Sequence, residues 1–178
     1  MKACALLIAC LASAIIGPTV TGTVEKIDKD QLQLKTSDGI VTLHVDERTI
    51  IRKGRITNDL SVLTVGDEIR ATCYGQGIPI AADISAQVKF SGTVTEASPV
   101  HMKIIRDSAT AAAATEKKST VFVYLEPATR FGASPKRLLV GARVNVVGWD
   151  AGDGVVDAEK VAIYDTDVPM RPPARPPK

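Results

Sequence analysis

Alternation of apolar and polar residues with a period of two organises the chain. Leu32 and Leu34 alternate with Gln31, Gln33 and Lys35, and Val41, Leu43 and Val45 alternate with Thr42, His44 and Asp46. Ile69, Ala71 and Cys73 follow between Arg70 and Thr72, and Ala82, Ile84 and Ala86 close the set. A period of two places one set of side chains inward and the other outward, so each run predicts a half-buried strand. Turn signals separate the runs: Asp28-Lys29-Asp30, Ser37-Asp38-Gly39, Gly75-Gln76-Gly77 and, further on, Asp150 to Gly154.

The pattern then repeats. Gly22-Thr23-Val24 recurs as Gly92-Thr93-Val94 at an offset of 70, and Thr49 recurs as Thr129 at 80. Leu63 to Gly66 matches Leu138 to Gly141 at 75, and Ala81-Ala82-Asp83-Ile84 matches Ala158-Glu159-Lys160-Val161 at 77. The jump from 70 to 80 places an insertion in the second copy, and the Ala-rich stretch Asp107–Thr120 is its natural position. A mobile loop is expected there, because isolated helices this short are marginal in water. Between the third and fourth strands each copy has a short stretch with helical character, at Asn58-Asp59-Leu60 and at Ser134-Pro135 to Leu139. Three strands, a helical turn and two strands is the order of a small five-stranded OB-like barrel. The expected architecture is all-β, with two such barrels in tandem at residues 20–88 and 89–165.

The ends read differently. Lys2 is followed by an uncharged run to Gly17 with Ala12-Ser13-Ala14 near its close, the pattern of a secretory signal peptide over residues 1–17. The run is shorter than the roughly 20 apolar residues that span a bilayer, so the mature chain is expected to lack a transmembrane span. Leu7-Ile8-Ala9-Cys10 also fits a lipoprotein box, a less favoured route to lipid anchoring through Cys10. Export leaves Cys73 as the one thiol of the mature chain, which excludes an intramolecular disulfide; its alternation with Ile69 and Ala71 makes it a buried, inert thiol. Residues 166–178, with Arg171-Pro172-Pro173-Ala174-Arg175-Pro176-Pro177-Lys178, read as a solvated Pro-rich tail.

Charge and composition narrow the function classes. The 178 residues carry 22 Lys and Arg against 20 Asp and Glu, a net charge of +2, which argues against a nucleic-acid partner. Two histidines leave little material for a metal cage or a histidine-based active site, and no phosphate-binding glycine loop, Cys-x-x-Cys pair or nucleophile elbow is present. No enzyme activity, metal or cofactor is expected. Aromatic residues make up only 4%, so their positions matter individually.

Three constellations remain as candidates. If Val121, Val123 and Leu125 point inward, then Phe122 and Tyr124 point outward on the third strand of the second copy. His101 and Lys103 point outward on the second strand, opposite Met102 and Ile104. Strands two and three form the ligand face of OB barrels, where rings stack on flat groups. The alternative is that Phe122 and Tyr124 are covered by the first barrel or the insertion. The equivalent positions in copy one, Thr42 and His44, make no stacking platform. A second constellation is the cationic patch Arg48, Arg52, Lys53 and Arg55, in the loop after strand three of copy one, which solvation alone accounts for. The third is His44 with Asp46, two apart on one strand, as a two-ligand metal site; His101 and Met102 fall on opposite faces.

The pattern Gly-Thr-Val, then Thr-Ile, then Leu-x-Val-Gly-Asp-x-Ile, then Ala-Ala-x-Ile resembles the secreted, often tandem bacterial β-domain called domain of unknown function 5666. The resemblance covers residues 20–164, closely in copy one and more loosely in copy two, where Ala142 stands in place of Asp67. It implies an exported β-barrel module without established activity and supplies no catalytic residues. The expected function is an exported, non-enzymatic binding or scaffolding module, with an envelope protein or polysaccharide as candidate partner. The alternative is a ligand-binding protein using the second copy's outer face for an oligosaccharide, oligonucleotide or small anion.

Overall fold

A computed structural model describes residues 17–75, 77–107, 119–134 and 138–164. Residues 1–16 of the expected signal peptide with Cys10, residues 108–118 of the expected Ala-rich insertion, residues 135–137 and the expected Pro-rich tail lie outside the described residues. The described chain is all-β, as expected. Its strands are β1 (Thr19–Asp28), β2 (Gln31–Thr36), β3 (Gly39–Lys53), β4 (Arg55–Thr57), β5 (Glu68–Tyr74), β6 (Ile80–Ala97), β7 (His101–Arg106), β8 (Thr120–Phe131), β9 (Arg143–Gly152) and β10 (Val155–Tyr164). A 3-10 turn, Leu60–Val62, supplies the helical character expected in copy one, with the Asp59 side chain accepting the Ser61 N–H at 2.9 Å.

The strands form one mixed sheet of ten. In the first half β1 pairs antiparallel with β2 and β5, β2 with β3, and β5 with β6, while β3 and β6 run parallel. That ring of five has the strand order of an OB barrel. In the second half β6 pairs antiparallel with β7 and β9, β7 with β8, and β9 with β10, and β10 runs parallel to β8. Closing a ring removes the exposed edges that a sheet this small could not otherwise cover. The two copies are expected as separate barrels; in the structure they share β6, whose residues 88 and 89, at the expected boundary, lie mid-strand.

Each ring encloses its own core. Leu32, Leu34, Leu43, Ile51, Ile69 and Ile84 fill the first, and Val94, Met102, Ile104, Val123 and Val144 the second, all 0–1% exposed. Burial of each such side chain stabilises by roughly 1.5–3 kcal/mol. Cys73 lies in the first core at 1% exposure, and burial raises its thiol pKa. One inward assignment is corrected: Ala81, not Ala82, enters the core. The register between β5 and β6 shifts at Thr72/Cys73, which resets the alternation at that point.

The four recurring landmarks have structural counterparts. Gly22 and Gly92 let β1 and β6 approach their neighbours closely: a Cβ on Gly92 would sit 2.3 Å from Ile104 Cγ2, and one on Gly22 2.7 Å from the Lys35 carbonyl oxygen. Gly66 and Gly141 adopt φ of +96° and +90°, and their N–H groups donate to the Val24 and Val94 carbonyls, both at 2.8 Å. In β3, Asp46–Thr49 bulge out between Val45, paired with Ala81, and Ile50, paired with Asp83. Glu126–Thr129 bulge in the same way in β8, between Leu125 opposite Ala158 and Arg130 opposite Lys160. The buried Thr49 hydroxyl donates to the Ala81 carbonyl at 2.7 Å and accepts the Asp46 N–H at 3.0 Å. Thr129 does the same with Ala158 at 2.7 Å and Glu126 at 2.9 Å.

The halves also meet side by side. Arg52 donates to Asp83 through Nε and Nη2, at 2.9 and 2.8 Å, and through Nη1 to the Ala151 carbonyl at 3.1 Å. The Gly54 N–H donates to the carboxylate of buried Asp150, and Arg70 stands 5.2 Å from the ring centre of Trp149.

Candidate functional site

Strict alternation along β7 and β8 builds the candidate surface. Met102, Ile104 and Val123 are fully buried and Val121 is 7% exposed, so the intervening residues face outward. Leu125 is half-buried against the same core. Phe122 is 42% and Tyr124 51% exposed. The antiparallel register sets His101 opposite Tyr124 and Lys103 opposite Phe122. Directly opposed residues on one face lie about 5 Å apart at Cβ, so the four side chains form one contiguous patch. Neither the first half nor the described ends of the insertion covers the rings.

Local contacts orient the polar members. Lys103 Nζ stands 5.2 Å from the centre of the Phe122 ring, within cation–π range. The turn between β6 and β7 fixes His101: its N–H donates to Ser98 Oγ at 3.0 Å, and the same oxygen lies 2.8 Å from Nδ1. Glu96 meets both Lys103 and His101, with Oε1 3.3 Å from His101 Nε2 and Oε2 bound by Lys103 Nζ. Hydrogen bonds from Lys103 and then His101 hold the Glu96 carboxyl below the usual carboxylate range. On the other side of β8, Val155 is in register with Phe122 and Asp157 with Tyr124.

Glu96 is the residue that alternation misses. Counted from buried Val94, it should point inward. A register shift between Val94 and Glu96 instead sets it opposite Lys103 on the outer face. The first half carries the same shift, but Lys26 occupies the equivalent place, opposite Gln33. The corresponding face there presents Gln31, Gln33, Thr42 and His44 in paired register and carries no ring.

The cationic patch is not assembled as expected. Arg48, Arg52 and Lys53 belong to β3 and Arg55 to β4, so these residues sit on a strand hairpin rather than in a loop. Arg52 is committed to Asp83 and Ala151; the Asp83 hydrogen bond, against some desolvation and with the fields of Asp157 and Asp150, raises its pKa. Lys53 pairs with Asp67 at 2.6 Å. Arg48 and Arg55 are exposed.

The proposed metal ligands do not converge either. His44 Nδ1 is 3.4 Å from Asp30, whereas Asp46 accepts the Arg48 N–H at 2.9 Å and the Tyr74 hydroxyl at 3.1 Å. His101 and Met102 face opposite sides of β7. Among the described residues no three His, Cys, Asp or Glu side chains gather into a metal-ligating group, and no helix is long and apolar enough to cross a membrane.

The strand order defines the chain as an all-β, OB-like protein. No protein-family model matches it, and no curated protein does. Among solved structures it is similar to one described as "Crystal structure of Ag(I)CusF", at 15% identity and a TM-score of 0.33, covering 44% of this chain and 97% of that one.

Proposed function

We propose that this protein is an exported, non-enzymatic binding module of the secreted β-domain kind, and that the outer face of β7 and β8 contacts its ligand. The observation that carries this reading is the open, adjacent placement of Phe122 and Tyr124 beside Lys103 and His101. The rings supply flat apolar surface at low entropic cost, and Tyr124, His101 and Lys103 supply hydrogen-bonding groups at its margin. The apolar run before Gly17 supports export. An envelope polysaccharide or protein is the partner class that fits that compartment.

The test is a ligand screen on the mature chain by two-dimensional NMR, followed by titration of Phe122→Ala/Tyr124→Ala. Each ring is expected to contribute roughly 0.5–1.5 kcal/mol, so the double variant should bind about 5- to 150-fold more weakly. Both side chains are substantially exposed, so the variant should keep its fold. A ligand bound undiminished by the double variant would remove this face from the function.

The contacts between the halves favour a second reading, a rigid scaffold. Arg52, Gly54 and Arg70 tie the first half to Ala151, Asp150 and Trp149 of the second. A scaffold would retain its partner when the rings are removed and lose it when Arg52 is replaced.

A further inference from the structure

We infer that Glu96 determines the ligand class of this face, neutralising Lys103 and engaging the His101 ring so that the surface takes an uncharged oligosaccharide rather than an anion. The inference rests on the reading of β7 and β8 as the binding face and narrows it.

Exposed rings flanked by Lys and His would ordinarily suit phosphates, carboxylates or sulfates, because a free ammonium beside a stacking surface is an anion site. Here neither side chain is free. Lys103 reaches Glu96 Oε2, and His101 is held between Glu96 Oε1 and Ser98 Oγ. On the far side of β8, Asp157 is in register with Tyr124, and its field acts on Arg52. An incoming anion would therefore have to displace Glu96 from Lys103. What remains is two rings on one side of one strand, ringed by donors and acceptors that already compensate one another. Sugar rings match that chemistry: their C–H faces lie on aromatic rings, while their hydroxyls both donate and accept.

Position and charge single out Glu96 rather than the rings as the determinant. The register shift at Thr95 turns it onto the face, and its counterpart in the first half is Lys26, opposite uncharged Gln33. Replacing Glu96 by Gln keeps its size and a hydrogen-bonding carbonyl but leaves Lys103 without a counter-charge at this position.

The experiment titrates the mature chain and Glu96→Gln with three uncharged hexasaccharides (cellohexaose, maltohexaose and chitohexaose) and with hexagalacturonate. NMR shifts of β7 and β8 amides serve as readout. The native chain should bind at least one uncharged probe and prefer it to hexagalacturonate. In Glu96→Gln, affinity for hexagalacturonate should rise roughly five- to tenfold at low ionic strength, and the gain should fade in salt. Equal or tighter binding of hexagalacturonate by the native chain would overturn the inference. So would failure of all three uncharged probes, or unchanged discrimination in Glu96→Gln. Phe122→Ala/Tyr124→Ala separates the two levels: an uncharged probe still bound by that variant removes the face itself, whereas loss of binding there with unchanged discrimination in Glu96→Gln removes only the role of Glu96.

Discussion

Replacing Thr49 by Val tests why a threonine recurs at the same place in both halves. The substitution deletes one hydroxyl from a side chain that is 1% exposed and keeps a β-branched shape. Two hydrogen bonds are lost, one to the Ala81 carbonyl and one from the Asp46 N–H. Each is worth about 0.5–1.5 kcal/mol net, and leaving the buried Ala81 carbonyl short of a partner adds roughly 1–3 kcal/mol. The expected loss is therefore about 2–6 kcal/mol, a large part of a typical domain's stability. The assay is urea unfolding followed by far-UV circular dichroism and by fluorescence of Trp149, the only tryptophan. Trp149 sits in the other half, against Arg70 of the first, and the halves share β6. Both probes should report the same lowered midpoint with an unchanged slope. Thr49→Ser, which keeps the hydroxyl and loses a methyl group, should cost about 1 kcal/mol, the scale of one buried methylene. A loss below about 0.5 kcal/mol for Val, or a Ser variant as damaged as the Val variant, would refute the clamp and leave the recurrence to packing alone.

Two further outcomes follow from the same geometry. Gly92→Ala should destabilise by roughly 1–3 kcal/mol, because its Cβ would overlap Ile104 and the Ile105 carbonyl; thermal unfolding at full stability would contradict the close approach. For Asp67, partial burial opposes ionisation, but the Lys53 ammonium and the Thr64 N–H outweigh it and lower the carboxyl pKa. A lowered folded-state pKa contributes stability that is present above the ordinary aspartate range and is lost as pH falls through it. Asp67→Ala, which copies Ala142 of the second half, should cost about 1 kcal/mol at neutral pH, after allowance for solvent screening. The gap between it and the native chain should close in acid, whereas a gap independent of pH would show that the ion pair is not its source.

The sequence by itself determined what depends on local periodicity. Alternation separates Val121 and Val123 from Phe122 and Tyr124, and Met102 and Ile104 from His101 and Lys103, because successive side chains of any strand point to opposite sides. The repeat was equally legible, since Gly22, Thr49, Gly66 and Ala81 each meet a geometric demand that the second half imposes again on Gly92, Thr129, Gly141 and Ala158. Tertiary structure decided wherever a strand's partner changes the count. The shift at Thr95 brings Glu96 outward, and the shift at Thr72/Cys73 exchanges Ala82 for Ala81 in the core. Pairing also carried β3 through Arg48, Arg52 and Lys53, so that what reads as a cationic loop becomes a hairpin holding the two halves together. The bulges at Thr49 and Thr129 are marked by their recurring threonine; a register shift like that at Thr95 is not. Such a shift arises where two strands of unequal length must stay in register, and that length difference exists only once the ring has closed.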